Sequence, residues 1–411
     1  MAGRGMSGGG AGPGGQRDQL LDHDDLLTCA DAPDLGGRRP DAIIVPSARP
    51  ASSLLHAAGL AEELNTPLLV LASRQAHAAE IVREIEDHGI VADVVAIDVT
   101  GAPRLMPGLE TAGLFTRGPF GRTTDVSMKR NLALLLSRAA GWDQVMFLDD
   151  DIQVPDAADL RRAAALLPTH AAVGLHIDGM PDNSVVCHAR RELGDRQGTF
   201  VGGGALLVPV ERSDGAFFPH IYNEDWFFLL DEGGIRPVAR TGRAVQQWYD
   251  PFVNPDRARG EELGDTLAEG VFAALSHGKL EDALKPDYWV GFLEVRRRLI
   301  TRLLQRAAGR ESMVTALKAA RGRSYLIEPH LCARFLKAWE RDQNVWRRAV
   351  EALSTGRGIA GAISHFGLRR SATVRLNRTG PAPREPRLRQ HRKHLDALDQ
   401  ARARELVVTG R

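Results

Sequence analysis

The sequence predicts an α/β fold, a mostly parallel β-sheet flanked by helices, followed by a helical region. Three observations predict it. From Asp41 onward short apolar runs alternate with amphipathic stretches of about 10–15 residues, the rhythm of strand–helix–strand crossovers. Beyond about residue 280 apolar residues recur at three- and four-residue spacing, which is helical alone. Between them, the apolar run Val145-Met146-Phe147-Leu148 ends on three consecutive carboxylates, Asp149-Asp150-Asp151.

The elements follow in chain order. Residues 1–40 read as a flexible Gly-rich segment, because residues 1–17 are too poor in apolar side chains to bury a core. No strand precedes its glycines, which argues against a phosphate loop, and it lacks the apolar stretch of a secretory signal. Residues 41–280 read as the main domain. Ala42–Pro46 is expected as a strand, Ala51–Leu64 as a helix, Pro67–Leu71 as a strand, Gln75–His88 as a helix and Ile90–Ile97 as a strand. Residues 101–123, rich in Gly and Pro, form a long loop, and such loops in compact domains are often functional. Ser127–Ala140 is an amphipathic helix leading into a strand at 144–148. Asp156–Leu167 is a further helix and Ala171–Ile177 a further strand. Ser184–Ala189 and Thr199–Val208 read as strands of an antiparallel extension, and Asn223–Asp231 opens another helix. Residues 281–368 form a helical accessory region, with helices at 287–308, 311–321 and 325–354 whose Trp289, Trp339 and Trp346 suit a cover for the sheet. Residues 369–411, rich in Pro and Arg, read as a disordered basic tail with a weak helix at 391–406.

Bulk composition narrows the function classes. The 411 residues are 43% hydrophobic and 26% charged, an ordinary soluble balance. The net charge of +1 conceals an asymmetry. Residues 369–411 hold twelve Lys and Arg against four Asp and Glu, a balance of +8 that leaves −7 for the rest. The body is therefore not built to coat nucleic acid, and no stable nucleic-acid partner is expected. The tail's charge is compatible with weak peripheral association with an anionic membrane. Cys29, Cys187 and Cys332 form no C-x-x-C pair, which excludes a disulfide framework and fits a reducing, cytoplasmic setting. No run of 18 apolar residues exists, so no transmembrane helix is expected.

Three constellations carry chemistry. Carboxylates straight after a buried strand are costly unless a cation neutralises them, and a hard divalent ion such as Mn²⁺ or Mg²⁺ takes carboxylate oxygens. Ligands of open α/β sheets sit beyond the carboxyl ends of strands, where this triplet falls. The alternative, a solvated turn with capping aspartates, fits poorly with apolar Ile152 directly behind. On an extended chain Asp149 and Asp151 face one side and Asp150 the other. Asp151 is then expected on the metal, Asp149 on the metal or on a nucleotide's ribose. Next, Asn223-Glu224-Asp225-Trp226 places two carboxylates at a helix start, suited to general-base work on a bound hydroxyl or, more plainly, to helix capping. Finally, Gly202-Gly203-Gly204 lets backbone approach a ligand with no Cβ in the way, or makes a bulge.

The segments "KRNLALLLSRAAGWDQ", "VMFLDDDI", "FVGGGALLVP" and "GAFFPHIYNEDWFFLL" resemble, in order and approximate spacing, those of GT-A glycosyltransferases, particularly family 2. The resemblance covers roughly residues 41–280. It implies a GT-A, Rossmann-like fold and a metal-dependent transfer of sugar from a nucleoside-diphosphate sugar to an acceptor hydroxyl, with inversion. Residue by residue, it implies Asp149 and Asp151 as the metal-binding Asp-x-Asp, with His277 completing the metal shell. Asp225 becomes the general base and Glu224 the residue orienting the acceptor. Lys129, Arg130 and Asn131 fall near the nucleotide, and Pro46, Arg49, Asp150, Gly203 and Gly204 fall along the nucleotide sugar. In the first strand this chain has Val45-Pro46-Ser47-Ala48-Arg49-Pro50 where family members often have a Pro-x-x-Asn-like segment. The nucleotide base, the sugar and the acceptor stay open. So do two rival readings: a nucleotidyltransferase, for which the first strand offers only Arg49 as a basic loop, and a non-catalytic nucleotide-sugar sensor or scaffold.

Overall fold

Leu, Ile and Val crowd the strands in unbroken runs, the mark of strands covered on both faces. The computed structural model describes residues 28–29, 38–115, 118–180, 184–198, 201–211, 215–231, 234–277, 280–368 and 372–374. Their strands are β1 (Thr28–Cys29), β2 (Ala42–Ser47), β3 (Leu68–Ala72), β4 (Val94–Asp98), β5 (Gln144–Leu148), β6 (Ile152–Gln153), β7 (Ala172–Gly179), β8 (Ala205–Pro209), β9 (Leu230–Asp231), β10 (Gly234–Ile235), β11 (Val238–Gln246) and β12 (Ala372–Val374).

One sheet runs β1-β11-β7-β8-β5-β2-β3-β4-β12, with β6 paired to β11, while β9 and β10 form a separate ribbon. β2, β3, β4 and β5 are parallel neighbours, as are β1, β11 and β7. β8 lies antiparallel between β5 and β7. Because both flank the same antiparallel strand, β5 and β7 point the same way. The carboxyl ends of β2 through β5, β7 and β11 therefore open on a single edge of the sheet.

Alternation along the strands sorts side chains into two cores. Ile44, Phe147 and Leu206 face one cluster, Ile43, Met146 and Leu207 the other. The first face is covered by helix Val126–Ala140 and by the C-terminal helices, which contribute Trp289, Trp339 and Trp346, all nearly fully buried. The second is covered by helices Leu55–Leu64, Ala78–Asp87 and Ala158–Leu166. Helix starts and stops follow local chemistry. Gly141 ends Val126–Ala140 at φ 84, and Pro286 and Pro329 open Pro286–Arg306 and Pro329–Glu351.

Several expectations need correction. Ser184–Ala189 is no strand: Ser184 caps helix Val185–Glu192, its Oγ accepting from the Cys187 amide at 3.2 Å. β8 begins only at Ala205, because the glycines before it form a turn. The helix expected over Asn223–Asp231 is only Glu224–Phe228 before the chain turns into β9. The long loop at 101–123 contains helix Glu110–Leu114, tied down by buried Asp342, whose carboxylate accepts from both the Glu110 and Thr111 amides at 2.8 Å. The segments expected to be flexible or disordered supply edge strands, β1 beside β11 and β12 beside β4. The helix expected at 391–406 lies outside the described residues. Helix Pro255–His277 and strand β11 had no counterpart in the sequence reading. Among the described residues no helix is long and apolar enough to cross a membrane.

Candidate functional site

Strand β5 stops at Leu148, and Asp149, Asp150 and Asp151 follow at the open edge of the sheet. The chain does not stay extended there. The Ile152 amide donates to the Asp149 carbonyl at 3.1 Å, closing a turn, and β6 then pairs with β11. The strict two-sided alternation expected for the triplet is lost for that reason. Asp150 and Asp151 share one cation, Arg49, at 3.2 Å and 2.7 Å. Asp150 also accepts from Ser47 Oγ at 2.7 Å. Asp149 turns the other way, toward Arg130.

Arg130 is the hinge pin of the site. Helix Val126–Ala140 lies beneath the strand tips and presents Lys129, Arg130 and Asn131 in succession, all nearly fully buried. The Arg130 guanidinium donates from Nη2 to both Asp149 oxygens, at 2.9 and 3.1 Å, and from Nη1 to Glu224 Oε1 at 2.8 Å. Planar forked donors suit this double grip. Asn131 spends its amide on the backbone of Phe218, both bonds being 2.8 Å. Phe218 in turn stacks on Phe228 at 4.4 Å, at the far end of the Glu224–Phe228 helix. Consecutive residues of one helix thus brace the carboxylate pair from two directions. Lys129 Nζ donates to the Ser47 carbonyl at 2.7 Å and to Ser73 Oγ at 2.6 Å, binding β2 to the end of β3. Burial lowers its pKa, opposed by nearby Asp125.

Asp225 lies next to this bridge, 7% exposed. Its Oδ2 accepts from the Gly203 amide at 2.6 Å and its Oδ1 from the Trp226 amide at 3.0 Å. Burial pushes its carboxyl up to about 6, helped by the charge of Glu224 and opposed by Arg130. Asn223, at φ 59, takes the left-handed turn that starts the helix. With five residues that helix has little dipole to lend, so desolvation and neighbouring charges govern the pair.

The glycines are required by close approach. A Cβ on Gly203 would collide with the Arg130 guanidinium, and one on Gly204 would stand 2.8 Å from Asp149 Oδ2 and 2.6 Å from Ile152 Cδ1. Gly204 also accepts the Asp149 amide at 2.8 Å, continuing the β5–β8 ladder past its end.

The structure therefore brings together Arg49, Arg130, Asp149, Asp150, Asp151, Gly203, Gly204, Glu224 and Asp225. Pro46 sits in β2, paired in register with Leu71. His277 closes its helix, and its side chain lies outside the described residues. Sequence reading missed Ser47, and it missed Arg122, whose Nη1 stands 3.9 Å from Glu224 Oε2. It also missed Gln247, whose amide donates to the Asp151 carbonyl at 3.0 Å. None carries a local signal, since each reaches the site across distant sequence.

Carboxylate oxygens are the donors that hard cations take. The Asp151 carboxyl is raised by burial and then by the charge of Asp149, with Arg49 opposing. Asp149 and Asp151 carry the oxygen donors a hard divalent ion takes, and each is paired with an arginine here, Asp149 with Arg130 and Asp151 with Arg49. A buried trio elsewhere, Cys187, Asp265 and Glu269, also has closely grouped ligand atoms. There the permanent cation Arg296 already pairs with Asp265 and with Glu262, whose Oε2 stands 2.9 Å away, so that trio reads as part of an ion-pair network joining two helices.

No family model matches the chain, and no curated protein matches it. Among solved structures it is similar to the mannosyltransferase PcManGT from Pyrobaculum calidifontis in complex with GDP-Man and Mn²⁺. The identity is 17%, over 79% of this chain and 90% of that chain, with a TM-score of 0.39. A TM-score that low gives the likeness no weight for fold or activity.

Proposed function

We propose that the chain is a metal-dependent glycosyltransferase of GT-A type, moving a sugar from a nucleoside-diphosphate sugar to an acceptor hydroxyl with inversion. One observation carries this reading. Arg130 ties the acidic strand tip to the Glu224-Asp225 pair, beside a carboxyl held near neutral pH. Carboxylates from the strand tip and from the helix thus meet on one guanidinium, in surroundings different enough to divide the tasks of acid–base chemistry.

Asp149 and Asp151 would hold Mn²⁺ or Mg²⁺, which when bound supplies Lewis-acid stabilisation of a departing diphosphate. Arg49, half exposed and paired with Asp150 and Asp151, adds a charge-assisted contact to that diphosphate. Asp225 takes the proton of the acceptor hydroxyl from a distance of about 3 Å. The freed oxygen bonds to the anomeric carbon as the bond to diphosphate breaks on the opposite face, so configuration inverts. Glu224, fixed by Arg130, orients the acceptor and raises the basicity of Asp225 by like charge.

The test is a thermal-shift screen of UDP-, GDP-, ADP- and dTDP-sugars with and without Mn²⁺, followed by assay of nucleoside-diphosphate release. A ligand that binds the native state raises the melting point. One donor should stabilise the protein only with metal present, and Asp151→Asn should abolish that gain. If no donor does so, the proposal fails. A second reading, binding without turnover, has the arginine pairing of all three aspartates in its favour. Metal-dependent stabilisation with no diphosphate release would select it.

A further inference from the structure

We propose that a cleft of about 480 Å³ beside the acidic strand tip is the acceptor site, and that the acceptor it takes is a neutral saccharide unit. This rests on the transferase reading and names the substrate class for it. Such a volume falls within the roughly 300–1,000 Å³ of small-molecule sites.

Position is the first argument. β11 ends at Gln246, which pairs with Ile152 immediately behind the Asp triplet, and the next amide, Gln247, donates to the Asp151 carbonyl at 3.0 Å. Trp248 follows directly and lines the cleft. Across from it Met180 follows the last residue of β7, which pairs with β11. Both strands deliver their carboxyl ends to the edge where Asp149 stands.

Chemistry is the second. Trp248 is 62% exposed, whereas Phe252 beside it is buried. An indole held open at a cleft offers a flat apolar face. Around it stand Glu192, Asp250 and Arg310, with Arg310 3.8 Å from Glu192. Burial and then Asp250 raise the Glu192 carboxyl, while Arg310 opposes the rise. With Arg191 added, the wall holds two arginines and two carboxylates beside His188, so its permanent charges balance and favour neither a cationic nor an anionic ligand. It is too polar for an acyl chain. A pyranose matches both halves, with a face of C–H groups for the indole and hydroxyls for the carboxylates and guanidinium.

The wall is also anchored. Tyr249, next to Trp248, accepts from Arg257 Nη2 at 2.7 Å, and the Phe252 amide donates to Asp250 Oδ1 at 2.8 Å. The Trp248–Phe252 segment is therefore tied to a neighbouring helix at Tyr249 and closed by a local turn at Asp250, which favours a preorganised site.

Saturation-transfer NMR on the full chain tests this with the methyl glycosides of glucose, galactose and mannose, and with glycerol and decanoate as controls. At least one glycoside should receive saturation and the controls should not. Trp248→Ala, at an exposed position, should keep the wild-type melting point yet weaken that glycoside about tenfold or more, about 1.4 kcal/mol. Glu192→Gln should weaken it less. Absence of glycoside signal, unchanged affinity in Trp248→Ala, or preference for decanoate overturns the inference. If nucleotide sugars stabilise the protein while glycosides fail, the inference falls alone. If glycosides bind at Trp248 while no nucleotide sugar does, the saccharide site stands and its role as acceptor falls with the transferase reading.

Discussion

Arg130 and Glu224 stand 94 positions apart in the chain and meet inside it at 2.8 Å, each almost fully buried. The same guanidinium holds Asp149. One residue thus neutralises charge from a strand tip and from a distant helix. Removing it strands the buried Glu224 carboxylate and leaves the partly exposed Asp149 without its partner.

Arg130→Met should therefore destabilise the protein strongly. Breaking a buried pair by removing one partner costs about 3–5 kcal/mol. Denaturant unfolding would measure it. The double variant Arg130→Met, Glu224→Gln should recover part of the loss, because one uncompensated charge is gone. No recovery would mean that the bridge contributes through shape alone.

Asp225→Asn should cut turnover by about 10²–10⁴-fold, the usual worth of general-base help. Donor affinity should stay near wild type, because Asp225 is proposed to act on the acceptor hydroxyl and not on the metal or the diphosphate. In the unaltered protein, turnover should rise as pH increases through about 6, because only the ionised carboxylate accepts a proton. The stability linkage runs the other way. A carboxyl held above its ordinary value favours the protonated fold, so the stability it lends is fully present below its ordinary value of 3.8 and is lost as pH rises to about 6. A flat pH–rate profile between pH 5 and 8, about the range in which such a group titrates, would remove Asp225 from the base role.

Gly204→Ala should damage the site without replacing any ionisable group. The added methyl meets the Asp149 carboxylate and Ile152, and overpacking of this kind costs about 1–3 kcal/mol. A lowered melting point together with weaker Mn²⁺ dependence of donor binding is the expected pair of results. Loss of stability with unchanged metal response would place the strain elsewhere.

Asp342→Ala should release the short helix Glu110–Leu114 from the C-terminal helices. It leaves two amides and the Thr111 hydroxyl without their acceptor, at about 1–3 kcal/mol for a buried group. Amide hydrogen exchange should rise across 109–115, with little change in the sheet. Uniform exchange would show that the loop is held by other contacts.

How much was written locally differs from element to element. The strands β2, β3 and β5 were legible because buried parallel strands are plain apolar runs. Gly141 and Pro286 stand at helix limits the sequence reading placed within a residue, whereas the helix expected over 325–354 starts only at Pro329. Asp149, Asp150, Asp151, Glu224 and Asp225 stood out because clustered carboxylates are costly beside apolar segments wherever the chain goes. Val185–Glu192 was misread because valines suit strands, while the decisive hydrogen bond of the Ser184 cap is visible only in space. Helix Pro255–His277 was missed because its buried acidic residues pair with Arg257 of the same helix and Arg296 of another, which erases the usual polar and apolar stripes.

By itself, then, the sequence determined the alternation of strands and helices, the two faces of each buried strand and the acidic tip of β5, all properties of residues near one another in the chain. Tertiary structure alone decided that β8 inserts antiparallel between β5 and β7, that the triplet turns so that Arg49 takes two of its members, and that Arg130 joins the third to Glu224. The physical reason is range. Propensity and periodicity act over a few residues, whereas the balance of a buried charge depends on whichever distant group the packing brings within about 3 Å.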